Sequence, residues 1–577
     1  MYRKLLVLVL IAASAFAAVK PIADFGGKAD GTFDNGPALQ KAFTYAASHP
    51  GTTLSLGGVC RIATPQSNNA KWQYAAGGEY VTNLTIEDGE IILGGAFAAL
   101  TFDHSPGLML RNVAFDYDPP ILSQGSVVAT SQGERSITCV PDPGYPLPTG
   151  SGFNDRDGNW LTVHKPDGEY AFFFVGFIQS SSMIGDKARL VYDRPDMAAA
   201  IEGIEGLRYV RVRRALGHLN VFNFCDRLTL ERVSVFSASA FASIFMFCND
   251  VTLVSNRICP RPASGRIVAT CADGFHFIGA RRGPRIENNY FDHLQDDNIV
   301  ISLRGNKVKS FEGNTLDLHA GSVTWYEKGD TIEVVEVAES RKSTYTIVAM
   351  EPYRWPWQPP RITLDRPLAG NVVPFDTNDT RLPTLVFNKS WRLDGTLIRN
   401  NRFQNTRRYA VFMGAGGVRI EDNVMSNHTS AAILCSYIEN VKNKRNELNY
   451  YFSSDISIAR NTIVNSLNYG EGGRKYAGRP AGAIDIYDFD RDAVGLGDLT
   501  LVHNLVIRDN RIVNSGALGI HVANASNVTV SGNMIIDPNR LSLTNRYGIW
   551  AEHSSAVNVS GNSVEGGSLD MPVKIDP

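Results

Sequence analysis

Three aspartates stand at the heads of two short apolar runs in the middle of the chain. Asp273 opens the run "DGFHFIG", and Asp296 with Asp297 opens "DDNIVIS". Carboxyl groups within a few ångströms of one another raise the pKa of at least one member, so that a protonated acid can stand beside an ionised base near neutral pH. Hydrolysis of a glycosidic bond needs these two states, because one group protonates the leaving oxygen while another activates water or attacks carbon. The three aspartates are therefore candidate catalytic residues, provided that the fold brings the two runs together.

Two other interpretations of the aspartates stay open. Acidic clusters on repetitive β proteins also bind Ca²⁺ through oxygen ligands, and an Asp-Asp pair in a turn is often only solvated.

The chain has seven cysteines, which are scattered without a Cys-x-x-Cys or His-x-His pair, so a zinc centre is not expected. We expect neither a bound metal nor a cofactor.

A repeated motif indicates how the chain is folded. An apolar residue, two variable residues, Asn, one variable residue and a second apolar residue recur eight times. The motif asparagines are Asn256, Asn289, Asn401, Asn423, Asn461, Asn510, Asn533 and Asn562. Short alternating apolar runs with a period near 22 residues predict a solenoid of strands, and the Leu-x-x-Leu-x-Leu frame of leucine-rich repeats is absent. We therefore predict an all-β fold, a right-handed parallel β-helix in which the asparagines form a structural ladder.

Counting from the asparagines predicts which residues stack on the Asp-Asp pair. The pair follows Asn289 by seven and eight residues, and the same offsets from Asn401 reach Arg408 and Tyr409. Equivalent residues of successive coils lie about 4.8 Å apart. Arg408 and Tyr409 are therefore candidate substrate-binding residues, one coil beyond the acids.

The preceding coil brings the third aspartate to the same edge of the solenoid. Asp273 heads the run of that coil, after a loop of about ten extra residues that is long enough to wall a cleft. His276 alternates with Phe275 and Phe277, so it is expected on the opposite face of the strand from these apolar residues. We predict that His276 faces the cleft beside Asp273 and binds substrate, and a histidine that is only solvated is the alternative.

Two long stretches lack the asparagine motif and carry alternating strand-like runs, which predicts that each folds as a small β-barrel or sheet inserted into the solenoid. The segment "PALQKAFTYAAS" at 37–48, opened by Pro37, predicts an amphipathic helix that caps the first coil. The predicted organisation is a signal peptide at 1–17, the N-terminal cap with the first coils at 18–119, an inserted β domain at 120–205, β-helix with the catalytic coils at 206–304, a second inserted β domain at 305–392 and C-terminal coils at 393–577.

The N-terminal residues predict export. Arg3 and Lys4 precede an apolar run that ends in an Ala-x-Ala motif at Ala17, so we expect a secreted or periplasmic protein cleaved near Ala17. No later run approaches the roughly 20 apolar residues of a membrane span. The formal net charge of −2 provides no basic footprint for nucleic acid. The expected partner is an oligosaccharide or polysaccharide, and the oligomeric state is left open.

The segment "IADFGGKADGTFDNGPALQKAF" resembles the opening of many secreted β-helix glycan enzymes of the pectate-lyase-like superfamily. More specifically, "FDYDPPILSQGSVV" at 115–128, followed by "DGFHF" and "DD", is similar to glycoside hydrolase family 110, whose members are exo-acting α-1,3-galactosidases on a β-helix with inserted β-barrels. The resemblance implies a metal-independent, inverting mechanism that uses three aspartates. It implies Asp296 as the acid, and Asp273 with Asp297 as the bases that activate water.

The residues and the resemblance together predict a secreted glycoside hydrolase with an inverting carboxylate mechanism, an exo-acting α-galactosidase on α-1,3-linked galactose. A polysaccharide lyase or epimerase, or a polygalacturonase-like enzyme, is the alternative enzyme class. A lyase or epimerase needs a base at C5 and a neutraliser of the uronate, such as calcium, Arg or Lys. A non-catalytic glycan-binding β-solenoid is the third possibility, and it predicts sugar binding without turnover.

Overall fold

The chain forms a long parallel β-helix with two β domains inserted between its coils. The computed structural model describes residues 19–68, 72–149, 161–168, 170–172, 178–192, 203–212, 217–319, 323–352, 360–376, 378–379, 381–435, 447–448, 454–468, 480–486, 500, 502–541 and 546–576. The expected signal peptide lies outside these residues. The all-β prediction with a parallel β-helix is confirmed.

Each coil contributes strands to two long, mostly parallel sheets. Within the described ranges, the first sheet has 13 strands: Ser67–Asn68, Gln73–Glu79, Ala98–Asp103, Asn220–Asn223, Ser243–Met246, Phe275–Ile278, Ile299–Ser302, Val411–Gly414, Ile433–Cys435, Gly482–Ile486, Leu518–Ala523, Tyr547–Glu552 and Met571–Ile575. The second sheet, counted over the same ranges, has 23 strands: Val19–Pro21, Asp30–Asp34, Thr53–Ile62, Thr85–Leu93, Met109–Tyr117, Thr229–Glu231, Ser234–Val235, Thr252–Val254, Arg257–Ile258, Arg285–Glu287, Tyr290–Asp292, Leu397–Arg399, Arg402–Thr406, Arg419–Glu421, Val424–His428, Ser454–Ala459, Thr462–Val464, Val502–Arg508, Arg511–Val513, Ala525–Ser531, Met534–Ile536, Ser555–Ser560 and Ser563–Glu565.

The two insertions are antiparallel β domains. As far as the chain is described, the first is a seven-stranded sheet of Ser123–Ser131, Ser136–Pro141, Leu161–His164, Tyr170–Phe172, Ile178–Ile184, Lys187–Tyr192 and Arg208–Arg211. The second closes as a ring of six described strands, Gly305–Glu312, Thr315–Leu318, Thr331–Glu336, Arg341–Met350, Arg361–Leu364 and Leu385–Asn388, with Glu447–Leu448 added at one edge.

One predicted boundary is wrong. The first insertion was expected to end at residue 205, but strand Arg208–Arg211 pairs with Ser123–Ser131 and Leu161–His164 inside the inserted sheet. Strand Arg208–Arg211 is a short run that is buried at its last three positions. Such a run fits a strand of the insertion or of a coil, and its pairing partners decide between them. The solenoid resumes in the first sheet at Asn220–Asn223.

The β-helix continues across the second insertion. Strand Ile299–Ser302 pairs in parallel with Val411–Gly414, although more than 100 residues separate them in sequence. Inside the coils, buried phenylalanine rings stack from one coil to the next, and Phe245 and Phe277 are 4.5 Å apart between ring centroids with planes at 12°. The core therefore runs through the coils as one continuous apolar column.

The motif asparagines form a buried ladder along the helix axis. From Asn289 onward, the side-chain oxygen of each accepts hydrogen bonds from the backbone N–H and the side-chain amide of the asparagine one coil before, at 2.9–3.0 Å. The amide also donates to a carbonyl oxygen, as Asn401 does to Ile286 at 2.9 Å. The ladder satisfies turn groups that would otherwise be buried without partners.

A helix covers the first coils, as predicted. It spans Gly36–Ser48, has a proline in its first turn, and buries Leu39 and Phe43 on one face. Three 3-10 helices are also described, at Ile22–Phe25, Val337–Glu339 and Lys389–Trp391. Among the described helices, none has the length and apolar character that crossing a membrane would take.

The ladder predicts a stability difference between inner and terminal coils. Asn401→Ala removes the acceptor of two buried donors on Asn289, so the free energy of unfolding should fall by about 2–4 kcal/mol. Asn562→Ala, at the half-buried last rung, should cost about 1 kcal/mol or less. Chemical denaturation of both variants measures the difference, and equal losses would contradict a ladder that depends on burial.

Candidate active site

The two strand heads that carry the acids are direct neighbours in the first sheet. Strands Phe275–Ile278 and Ile299–Ser302 pair in parallel, which sets Asp273 beside Asp297. The backbone N–H of Gly274 donates to the carbonyl oxygen of Asp297 at 2.9 Å. A Cβ at residue 274 would lie 2.4 Å from a carbonyl oxygen of the neighbouring coil, so glycine allows this close approach.

The three carboxylates meet at this edge. One oxygen from each of Asp273, Asp296 and Asp297 lies within 4.8 Å of the others, and the residues are only 4%, 5% and 2% exposed. Burial and mutual repulsion both disfavour three simultaneous negative charges. The cluster can therefore hold a proton near neutral pH unless nearby cations offset its charge.

Two adjacent arginines of the next coil supply such cations. Arg408 Nη1 lies 2.8 Å and Arg407 Nη2 3.4 Å from the Oδ1 atom of Asp296, while Arg408 Nε is 3.5 Å from Asp297 Oδ1. His428 Nδ1 is 3.3 Å from the carbonyl oxygen of Arg408 and so supports the arginine from the coil beyond. Arg407 and Arg408 therefore place two positive charges against Asp296 and Asp297.

Sequence counting placed Arg408 and Tyr409 beside the acids, and the register agrees. Tyr409 reaches the cluster through its backbone, because its N–H donates to Asp297 Oδ1 at 3.4 Å. Its ring is 1% exposed and packs against Phe412, with centroids 5.5 Å apart. Arg407 was missed, although it directly precedes Arg408 in "TRRY". The counting used only the offsets of the acid pair, seven and eight, whereas Arg407 follows Asn401 by six residues.

His276 contacts the cluster from the strand of Asp273. Its Nδ1 lies 2.7 Å from Asp273 Oδ2, and its ring stacks on Phe241 at 4.7 Å between centroids. Burial, assisted by the charge of Arg304, lowers the pKa of His276 to about 3, against an opposing effect of Asp296. The imidazole is therefore neutral at physiological pH. Its Nε2 is buried without a hydrogen-bond partner among the described residues, and a hydroxyl of a bound ligand could supply that partner.

The donor set fits a calcium ion poorly. The cluster offers carboxylate oxygens, which Ca²⁺ prefers, but a typical site collects 6–8 oxygen ligands. Here Arg408 and Arg407 already contact Asp296, so the carboxylate that would bind the ion faces two positive charges. The charge arrangement favours proton chemistry over cation binding.

The comparisons with known proteins agree with the β-helix fold and with the relationship that the sequence motifs suggested. Residues 385–564 match the family model described as a right handed beta helix region. Alpha-1,3-galactosidase A of Bacteroides fragilis is 25% identical over 281 residues, which cover 45% of each chain. The chain is a distant relative of proteins named α-1,3-galactosidase. Alpha-1,3-galactosidase A of Shewanella woodyi is 21% identical over 504 residues, 78% of this chain and 76% of that protein. The resemblance seen in the sequence is thereby confirmed.

The matches have limited extent. The chain spans about half the length of the first curated relatives that it matches. Among solved structures, the Yersinia enterocolitica Family 28 exopolygalacturonase is 11% identical, with 95% of this chain and 79% of that chain covered and a TM-score of 0.42.

Burial of His276 predicts a specific sensitivity to acid. An unfolded histidine binds a proton below about pH 6.5, whereas the folded residue does so only near pH 3. The free energy of unfolding should therefore fall as the pH drops through this window. His276→Gln removes this contribution, so the loss between pH 7.0 and 4.5 should be about 2 kcal/mol smaller than in the wild type.

Urea denaturation at the two pH values measures this effect. The exposed His553→Gln serves as the control and should retain the wild-type difference. If His276→Gln also retained it, the imidazole would not be buried in its neutral form.

Proposed function

We propose that this chain is a glycoside hydrolase whose catalytic groups are Asp273, Asp296 and Asp297. The observation that carries the proposal is the convergence of three buried carboxylates from two stacked coils within 4.8 Å. The relationship to proteins named α-1,3-galactosidase supports the substrate class. Export is an expectation from the first 17 residues alone.

The chemistry needs one proton and one base. A protonated carboxyl group donates its proton to the glycosidic oxygen as the bond to the anomeric carbon breaks. An ionised carboxylate accepts a proton from water as the water oxygen attacks that carbon. Mutual repulsion among three close, buried carboxylates favours a protonated member beside an ionised one.

The role of each aspartate is the finer part of the proposal. The family resemblance implies Asp296 as the acid and Asp273 with Asp297 as the bases. Contact with Arg408 and Arg407 favours the ionised form of Asp296, whereas repulsion from the other two carboxylates favours its protonated form. Asp296 acts as the acid only if this repulsion outweighs the two guanidinium contacts.

The proposal of an inverting mechanism rests on the family resemblance and not on the distances between the carboxyl groups. Inverting enzymes commonly separate their carboxyl groups by about 6.5–9.5 Å to admit water, whereas retaining enzymes use about 5–5.5 Å. Here one oxygen of each carboxylate lies within 4.8 Å of the others, which is a distance between selected oxygens and not between carboxyl groups. We propose inversion with water held by the base pair Asp273 and Asp297.

The proposed substrate is an α-1,3-linked terminal galactose, removed by exo action. His276 and Arg408 are the proposed sugar-binding residues, and the buried Tyr409, which the sequence also suggested for this role, is assigned a supporting one. The unpartnered Nε2 of His276 is suited to a sugar hydroxyl, and the side chain of Arg408 is about one-fifth exposed. Tyr409 contributes through the backbone that orients Asp297.

Loss of any catalytic carboxylate should lower turnover without unfolding the protein. Asp273→Asn, Asp296→Asn and Asp297→Asn should each lower kcat by about 10²-fold or more, since a positioned acid or base contributes about 10²–10⁴. Asp116→Asn is the matched control, because Asp116 is equally buried and also paired with two arginines, Arg261 and Arg266. Initial rates on an α-1,3-galactosyl disaccharide measure the effect. Near-wild-type rates in all three site variants would place the active site elsewhere.

Substrates with different leaving groups distinguish the catalytic acid from the catalytic bases. A 4-nitrophenyl galactoside releases a stable anion that needs little protonation, so the acid variant should lose much less activity on it than on the disaccharide. The base variants should lose activity on both substrates. We expect Asp296→Asn to show the acid pattern. If Asp273→Asn or Asp297→Asn shows it instead, the arginine contacts hold Asp296 ionised and the assigned roles change.

Chelation distinguishes the remaining candidates. Hydrolysis should be unchanged after treatment with EDTA, because the arginines rather than a metal balance the cluster. Chelator-sensitive formation of an unsaturated uronate product would identify a lyase. Binding of sugars without turnover of any glycoside would identify a glycan-binding solenoid. Chromatography of natural oligosaccharides with and without EDTA reads out these outcomes.

A further inference from the structure

A hairpin of the first inserted domain lies against the chain segment that leads into the acid pair. Strand Leu161–His164 and strand Tyr170–Phe172 pair with each other in the inserted sheet. The side chains of Tyr170 and Thr162 contact Leu294 and Gln295, which directly precede Asp296 and Asp297. The insertion is therefore joined to the β-helix where the proposed catalytic residues begin.

The carbonyl oxygen of Leu294 is the junction of these contacts. It accepts the hydroxyl hydrogen of Tyr170 at 3.1 Å and the backbone N–H of Arg407 at 3.0 Å. Arg407 in turn contacts Asp296. One carbonyl thus joins the insertion to the acid and to one of its counterions.

A second connection runs through Gln295. Its side-chain amide donates to Thr162 Oγ1 at 2.8 Å, and Thr162 Oγ1 lies 2.9 Å from His164 Nε2. His164 Nδ1 is 3.0 Å from the carbonyl oxygen of Gly168. All three side chains are completely buried.

The directions of these hydrogen bonds follow from chemistry. Burial lowers the pKa of His164 to about 3, so the ring is neutral and has one donor and one acceptor nitrogen. A carbonyl oxygen only accepts, so Nδ1 carries the hydrogen and Nε2 accepts from the Thr162 hydroxyl. The Thr162 oxygen then accepts from Gln295, and every contact in the series has a donor and an acceptor.

We propose that Tyr170, Thr162 and His164 are positioning residues that fix the backbone ahead of Asp296 and Asp297. The first inserted domain is then part of the active site rather than an accessory module. This inference rests on the proposed function. Misplacement of a reacting group by about 1 Å can cost about 10²-fold in rate, so two buried hydrogen bonds at this segment matter for catalysis.

Tyr170→Phe and Tyr209→Phe form a matched pair of variants. Each removes one buried tyrosine hydroxyl from the same inserted sheet, but the hydroxyl of Tyr209 contacts Ser123 at 3.0 Å within the insertion. Both variants should lose similar stability. Tyr170→Phe should lower kcat roughly tenfold with little change in KM, and should shift the pH profile of kcat because Asp296 and Arg407 move. Tyr209→Phe should keep the wild-type kcat and pH profile.

Thr162→Val tests the second connection and substitutes for Tyr170→Phe if that variant fails to fold. It keeps the shape of the side chain and removes the hydroxyl that joins Gln295 to His164. The same loss of kcat and the same shift of the pH profile are expected. Positioning by the insertion is overturned if the folded variants match Tyr209→Phe in both quantities.

Hydrogen exchange provides a readout that does not depend on turnover. The backbone amides of residues 294–298 should exchange faster in Tyr170→Phe than in Tyr209→Phe. A wild-type protein that hydrolyses no glycoside would refute the proposed function, and the exchange rates would still decide whether the hydroxyl holds this segment. Equal exchange in the two variants would refute the positioning role itself.

Discussion

The fixed register between successive coils is the constraint on which the site depends. Strands of neighbouring coils lie about 4.8 Å apart, and the asparagine ladder bonds each coil to the next at one turn. A shift of one residue would move a side chain to the other face of its strand. Because the ladder prevents such a shift, Asp273 and Asp297 remain neighbours although 24 positions separate them.

The cluster places opposing electrostatic demands on the fold. Three buried carboxylates repel one another, and burial alone would favour their neutral forms. Arg407 and Arg408 offset part of this charge, and the neutral His276 adds a hydrogen bond without adding charge. The balance leaves the cluster able to exchange a proton, which is the property that acid and base catalysis requires.

Much of this arrangement could be predicted from the sequence because the repeat is strict. The asparagine motif predicted the solenoid, and equal offsets from Asn289 and Asn401 placed Arg408 beside Asp296. The contacts of the insertion could not be found in this way. Tyr170 meets Leu294 across 124 residues, and no periodicity connects an inserted antiparallel sheet to the register of the coils. The predicted end of the first insertion at residue 205 was wrong for the same reason. Strand Arg208–Arg211 pairs with strands that are distant in sequence, and the local sequence pattern does not contain these packing partners.

The most direct test of the account follows the configuration of the first product. The wild-type protein is mixed with an α-1,3-galactosyl disaccharide, and the anomeric protons are recorded by NMR before mutarotation equilibrates the released galactose. Direct attack of water held by Asp273 and Asp297 predicts that β-galactose appears first and α-galactose only later. If α-galactose appears first, one of the tightly spaced carboxylates attacks carbon as a nucleophile, and the inverting mechanism proposed for this cluster is wrong.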